Sequence, residues 1–436
     1  MRVPLPAALA LGRMRRGLAV VLPWLLLALL AGCGGGGDDP APTPSGDGGG
    51  GSEQAPVLGA GGEDEEAAAD LGFPEFATRN TTRVGSADAI ATAASVSLAV
   101  YPSRDADTRP RAVTLVDTAD WRVAISAAQL MAPPLRAPIL FTENGALPPA
   151  SEQALGRLIP TGAEEAGGAQ VLRVGGAAEA SGYKTTAVEG ADHAALAQAI
   201  DRLAIAAAGK PSEAVVVASE EQAGYAMPAA GWAAKSGQPV LWVTRNAIPA
   251  ATRAAITAHK RPKIYVLGPK AAISDDVVDQ LDELGTARRV DGEDPVTNAI
   301  EFARFSDGSS GWNVVDPGHG LVFATTQRPL DAAAAAPLSA TGTYGPLLLV
   351  TAANALPAPL QDYLLDIQPG YDQDPVRGVY NHGWIVGDEN AVSVDVQARI
   401  DTLLEIQPVG EAAGGGSGGS RGSGGSGGSA GSGDGD

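Results

Sequence analysis

Side chains able to do chemistry are few. Four histidines stand at 193, 259, 319 and 382, and no two share the helical spacing of a metal site. His193 lies in a helix-start phrase and reads as exposed. His259 precedes Lys260-Arg261-Pro262, a basic helix end where cations are favoured. Paired acids such as Glu220-Glu221 and Asp275-Asp276 read as solvated faces or helix starts. The glycines at Val174-Gly175-Gly176, Leu267-Gly268-Pro269 and Val386-Gly387-Asp388 form neither a dinucleotide fingerprint nor a P-loop. The folded part has no Gly-x-Ser-x-Gly elbow. With no nucleophile, metal set or cofactor motif, the sequence predicts binding without catalysis and no cofactor. Hydroxyls and amides remain, at Thr142 and Asn144, Thr244 and Asn246, and Thr351 and Asn354. Each pair sits in a polar turn just past an apolar run, where an open α/β sheet takes its ligands.

The elements that position these turns come in triplicate. PILFTENGALP from Pro138, PVLWVTRNAIP from Pro239 and PLLLVTAANALP from Pro346 say nearly the same thing. Three further phrases recur in step. One holds Asp88, Asp192 and Asp294. One reads RAVTLVDT, EAVVVASE and GLVFATTQ, and one QVLRVGG, KIYVLGP and GWIVGDEN. The short Val, Leu and Ile runs predict strands buried on both faces of a parallel sheet. Ala-rich stretches such as WRVAISAAQLMA predict helices between them. LPPASEQAL, IPAATRAAI and LPAPLQDYL place proline at a helix start, where its missing N–H costs nothing. Asp88, Asp192 and Asp294 suit helix N-caps. The expected fold class is α/β, as three tandem modules, each a small parallel sheet flanked by helices. The third copy has longer loops, which carry Trp312 and Trp384. Their rings could stack on sugar or fill a core.

The ends differ from the middle. Residues 1–32 combine a basic start with the apolar run LAVVLPWLLLALLAG, as in an export signal complete from either Met1 or Met14. The run is short for a membrane span. Leu29-Leu30-Ala31-Gly32-Cys33 resembles the bacterial lipobox, which implies cleavage before Cys33 and attachment of a lipid to its sulfur. Two acyl chains suffice for stable anchoring. Cys33 is the only cysteine, so no disulfide forms within the chain. Residues 33–70 are rich in Gly, Pro and acids, and residues 411–436 in Gly and Ser; neither can offset the entropy of ordering it. The modules are expected at 71–182, 183–285 and 286–410. The 50 acids outnumber the 30 Lys and Arg, for a net charge of -20. That balance disfavours nucleic acid as a partner.

The order of the repeated phrases resembles the cell wall binding repeat 2 family. Gly85-Ser86-Ala87-Asp88 with Thr92-Ala93 keeps part of its opening motif, and Asp331-Ala332-Ala333-Ala334-Ala335-Ala336-Pro337-Leu338 keeps another. The similarity runs from about Arg79 to Val409. Of the family's acid ahead of the Ala-rich helix only Asp331 is kept, its counterparts falling near Arg122 and Tyr225. The resemblance implies three modules packed around a pseudo-threefold axis, a monomer with an internal pseudo-trimer, and a cell-wall or envelope polymer as partner. It adds Asp331 to the candidate binding residues. Together with Cys33 it places the protein on the extracytoplasmic side of a membrane, held by its lipid. The alternative from another class is a lipid-anchored solute-binding protein for a small ligand. An envelope enzyme acting on glycan is a third.

Overall fold

A computed structural model of the chain describes residues 76–342 and 344–409. The leader, Cys33, the acidic linker and the Gly/Ser tail lie outside the described residues. Among the described residues no helix is long and apolar enough to cross a membrane.

The repeated phrases fold as one repeated order of elements. The first copy runs β1 (Phe76–Ala77), β2 (Thr81–Val84), α1 (Ala89–Val100), β3 (Val113–Asp117), α2 (Trp121–Ala127), β4 (Ile139–Thr142), α3 (Pro149–Leu158) and β5 (Val171–Val174). A 3-10 turn, Ala128–Met131, extends α2. The second runs β6 (Thr185–Val188), α4 (His193–Ala208), β7 (Ala214–Ser219), α5 (Ala223–Ser236), β8 (Val240–Val243), α6 (Ala250–Ala258), β9 (Lys263–Leu267) and α7 (Asp275–Leu284). The third begins with β10 (Thr286–Val290), α8 (Pro295–Arg304), β11 (Gly320–Thr325), α9 (Leu330–Ala334), α10 (Ala336–Ala340) and β12 (Leu347–Val350). It continues with α11 (Ala358–Asp366), β13 (Gly370–Tyr371), β14 (His382–Val386), α12 (Val394–Leu404) and β15 (Gln407–Pro408). The apolar runs read as doubly buried strands are so: every residue of β4, β7, β8, β11 and β12 is buried.

The strands exchange between copies. The sheet β4-β3-β5 is completed by β6, the sheet β8-β7-β9 by β10, and the sheet β12-β11-β14 by β2, with β1 beyond it. All these pairings are parallel except β1 with β2. Each copy thus lends its first strand to the copy before it. The first copy lends β2 to the last, so the three sheets form a closed cycle.

An arginine marks each exchange. In the second sheet Arg289 of β10 donates to Gly268 O at 2.8 Å and Ile273 O at 2.9 Å. In the third sheet Arg83 of β2 does the same, to Gly387 O at 2.9 Å and Val392 O at 2.7 Å, and also to Gln397 Oε1 at 3.0 Å. The first sheet has Ala187 at this place, opposite Arg173 of β5. Arg173 reaches Gly175 O at 3.3 Å and Ala177 O at 3.4 Å from the neighbouring strand. The carbonyls of a strand-end turn need a buried donor, and either strand can supply it.

The Ala-rich helices α2, α5, α9 and α10 pack on one another. Small side chains permit that approach. A Cβ placed on Gly231 of α5 would stand 2.6 Å from Ser339 Oγ of α10. Around this centre Trp232 meets Trp312 edge-on at 5.1 Å and Phe302 at 6.2 Å. Trp312 is buried, so its ring fills the core, whereas Trp384 in β14 is half-buried beside His382.

The aspartates cap helices as expected. Asp88, Asp192 and Asp294 accept from the N–H groups of Ala91, Ala195 and Thr297 at 2.8, 2.8 and 3.0 Å. Asp294 also forms a capping box, its own N–H donating to Thr297 Oγ1. Asp294→Ala should therefore cost about 1–2 kcal/mol. Urea unfolding checks this. A change within error would show that Pro295 at the first helical position suffices to start α8.

Candidate functional site

At the carboxyl end of each sheet the chain turns through a glycine with positive φ: Gly175 at 57°, Gly268 at 114° and Gly387 at 95°. The exchanged strand ends beside that turn and leads into an Asp-capped helix. Three equivalent crevices result, and their contents differ. In the second, an added Cβ on Gly268 would stand 3.5 Å from Tyr225, whose hydroxyl donates to Glu293 O at 3.2 Å. In the third, Arg328 packs over Gly387 and donates to Ser86 O at 3.0 Å and Thr92 Oγ1 at 3.3 Å. It also pairs with Asp388 at 3.4 Å and Asp331 at 2.9 Å. In the first, Gly175 meets only Leu196, and a cavity of about 560 Å³ remains.

Acids line this cavity: Asp117 and Asp120 from the end of β3 and the start of α2, Glu189 after β6, and Asp192 at the cap of α4. His193 lies at its edge, half-buried rather than exposed, with Nε2 3.0 Å from Glu220 Oε2 and Nδ1 3.8 Å from Asp120 Oδ2. The cations are turned aside. Arg122 donates through Nε to Glu220 O at 2.6 Å and pairs with Asp120 at 3.1 Å. It also stacks on Trp121 at 4.7 Å. Arg173 reaches Glu189 only at 3.7 Å. The lining is therefore rich in acceptors. It suits hydroxyl or ammonium donors and repels phosphate or carboxylate.

The polar turns lie elsewhere. They follow β4, β8 and β12, the outermost strands of three different sheets. Thr142 is buried; its hydroxyl donates to Asp117 Oδ2 at 3.4 Å and accepts from the Ala178 N–H at 3.2 Å. It alone of the six has a bond to a residue of the open crevice. Asn144 is exposed with φ of 52°. The Thr244 hydroxyl accepts from the N–H groups of Asn246 and Ala247 at 3.3 and 2.9 Å, which folds its own turn. Asn246 accepts from Arg245. Thr351 and Asn354 are exposed around the bridge between Ala352 and Ala355. Asp331 is fully buried in the third crevice.

Two buried groups outside the open crevice set a pH dependence. Burial pushes Asp331 up to about 6; Arg328 opposes this, and Asp388 and Asp88 add to it. His259 is buried at the end of α6. Burial lowers its basicity, but Asp201 raises it further, and the net shift is upward. Its Nε2 lies 2.8 Å from Asp201 Oδ2 and its Nδ1 2.9 Å from Ser212 O, so both nitrogens face acceptors and the imidazolium fits. A raised folded value means stability fully present below the unfolded value and lost as pH rises through the folded one. The Asp331 contribution should decline between about pH 4 and 6, and that of His259 above about pH 6.5. Melting temperature measured from pH 4 to 9 should fall along both steps, Asp331→Asn flattening the lower and His259→Gln the upper. Unchanged slopes in both variants would refute the assignment.

Residues 187–278 and 289–397 match the family model described as Cell wall binding domain 2 (CWB2). Among solved structures the chain is similar to Cwp6 from Clostridium difficile, with a TM-score of 0.57 and 17% identity over 74% of this chain and 48% of that one. It is also similar to Cwp8 from Clostridium difficile, with a TM-score of 0.56 and 16% identity over 75% of this chain and 52% of that one. The chain thus spans about half the length of these two proteins, and the likeness is one of fold. No curated protein matches the sequence.

Proposed function

We propose that this chain, whose second and third copies belong to the cell wall binding domain 2 family, is a cell-wall-associated binding protein that holds a wall polymer in its first crevice. The observation that carries the reading is the difference between equivalent places. Tyr225 and Arg328 occupy the second and third crevices, while the first stays open and lined by carboxylates. Those acceptors match a hydroxyl-rich or amine-bearing glycan segment, not a polyphosphate backbone. A lipid on Cys33 would anchor the other end, and the acidic linker would give reach from membrane to wall. A second reading, capture of a small solute, is favoured by the cavity volume, which falls in the range of small-ligand sites.

Co-sedimentation with purified cell walls tests the first reading, before and after chemical removal of anionic polymers and at two salt concentrations. Pelleting that survives both treatments is expected for a hydroxyl-bearing ligand. No pelleting under any condition would sink wall binding. A melting temperature raised by a small polar solute, without pelleting, would favour the second reading.

A further inference from the structure

The third copy has the longest link between its last two repeated elements, a helix and a sheet strand. Between α6 and β9 the second copy spends only residues 259–262, the first spends 159–170 between α3 and β5, and the third spends 367–381 between α11 and β14. This link supplies β13, which pairs with β15, and a short 3-10 turn, Pro375–Arg377. It encloses a cleft of about 560 Å³ lined by Tyr371, Asp372, Gln373, Asp374 and Arg377.

Large apolar side chains stand exposed around this cleft. Val376 is 81% exposed and Val409 63%, and Val379 and Tyr380 are about half exposed. Tyr380 is held in place by its hydroxyl, which donates to Pro375 O at 2.5 Å. Among the described residues, no hydrogen bond or ion pair engages the side chains of Tyr371, Asp372, Gln373 or Arg377. Carboxylate, amide and guanidinium groups thus stand free beside aromatic and branched apolar surface.

Resting on the wall-glycan reading above, we propose that this cleft is a second glycan subsite that takes an N-acetylated hexosamine chain. Such a sugar presents the three surfaces that this lining and the exposed valines near it complement. Its C–H face packs on a tyrosine ring, its acetyl methyl on valine, and its hydroxyls and amide bond Asp372, Gln373 and Arg377. A polyanion fits less well, because Asp372 and Asp374 outnumber Arg377. A purely apolar partner would strand the same polar groups.

The test titrates the β-1,4-linked tetramer of N-acetylglucosamine into the full chain by calorimetry. Asp372→Ala, Arg377→Ala and Gly176→Trp, the last of which fills the first crevice, are run in parallel. Asp372 and Arg377 are exposed, so their loss leaves the fold intact, checked by melting temperature. Binding at about 1 mM or tighter is expected for the wild type. It should weaken at least tenfold in Asp372→Ala and Arg377→Ala and persist in Gly176→Trp, which removes only what the first crevice takes. No binding to the wild type overturns the subsite, and so does binding that Gly176→Trp alone abolishes. Pelleting with walls but no tetramer binding removes the subsite and keeps the wall-binding reading. Tetramer binding without pelleting does the reverse.

Discussion

Arg83→Met should destabilise the chain by several kcal/mol, the largest loss expected from any single exchange in the strand cycle. Arg83 is 2% exposed and lies in the strand that the first copy lends to the last. Methionine keeps much of the bulk and removes every donor. Gly387 O, Val392 O and Gln397 Oε1 then lose the guanidinium that serves them, in a place where water does not replace it. Each orphaned buried acceptor costs about 1–3 kcal/mol. The partners are more than 300 residues apart, so the contact closes the whole cycle. Arg289→Met is the internal control. Arg289 does the equivalent work between neighbouring copies, but its side chain is 16% exposed, and water can reach the groups it leaves. That variant should lose about 1 kcal/mol. Urea unfolding with the slope held constant separates the two. Limited proteolysis adds a second reading: cleavage near Arg79 should accelerate in Arg83→Met and not in Arg289→Met. Equal losses would mean that closure between the ends is no more dependent on its arginine than the internal exchanges.

The same cycle shows where the sequence speaks and where it is silent. The buried strands are legible because a run such as AVVVAS has no polar face to offer. The caps are legible because an aspartate three residues before a helical N–H has one obvious partner. Strand exchange is not. TTRV, TTAV and TARRV are short and mixed, and nothing in them says whether they pair with the strand behind or the strand ahead. The Asp201–His259 bond is likewise silent, since the two residues are separated by 58 positions and His259 sits in a phrase that reads as a basic helix end. The polar turns read as ligand sites because hydroxyls and amides cluster past strand ends. In the structure much of that polarity folds the turns themselves, as the Thr244 hydroxyl does. The open crevice had a faint signal. At the place of Tyr225, the third residue of α5, the first copy has Val123, the third residue of α2, which lines the cavity and is too short to fill it. Its neighbour Arg122 turns to Glu220 O and Trp121. The equivalence of Val123 with Tyr225 follows from the strand register, Asp117 with Thr142 and Ser219 with Val243, which the phrases alone place only to within a residue.

Gly176→Trp should abolish wall binding while leaving the fold as stable as before. Gly176 suits this exchange for two reasons. Gly176 lines the open crevice, and a Cβ added there meets no heavy atom within 4 Å. It also lacks the left-handed φ of its neighbour Gly175, so an L side chain fits its backbone. The indole would then do in the first crevice what Tyr225 does in the second. Melting temperature should stay within about 1–2 °C, since exposed substitutions usually move stability by about 0.5 kcal/mol or less. Affinity for walls should fall about a hundredfold or more, which corresponds to about 2.7 kcal/mol. Gly176→Ala, too small to fill the cavity, should bind as the wild type does. A tryptophan variant that still pellets would move the wall-binding face away from the strand ends of the first sheet. If both variants fail to pellet with unchanged stability, the ligand must press against the backbone at Gly176 itself. The crevice would then be a tight seat for one sugar ring rather than a channel for a chain.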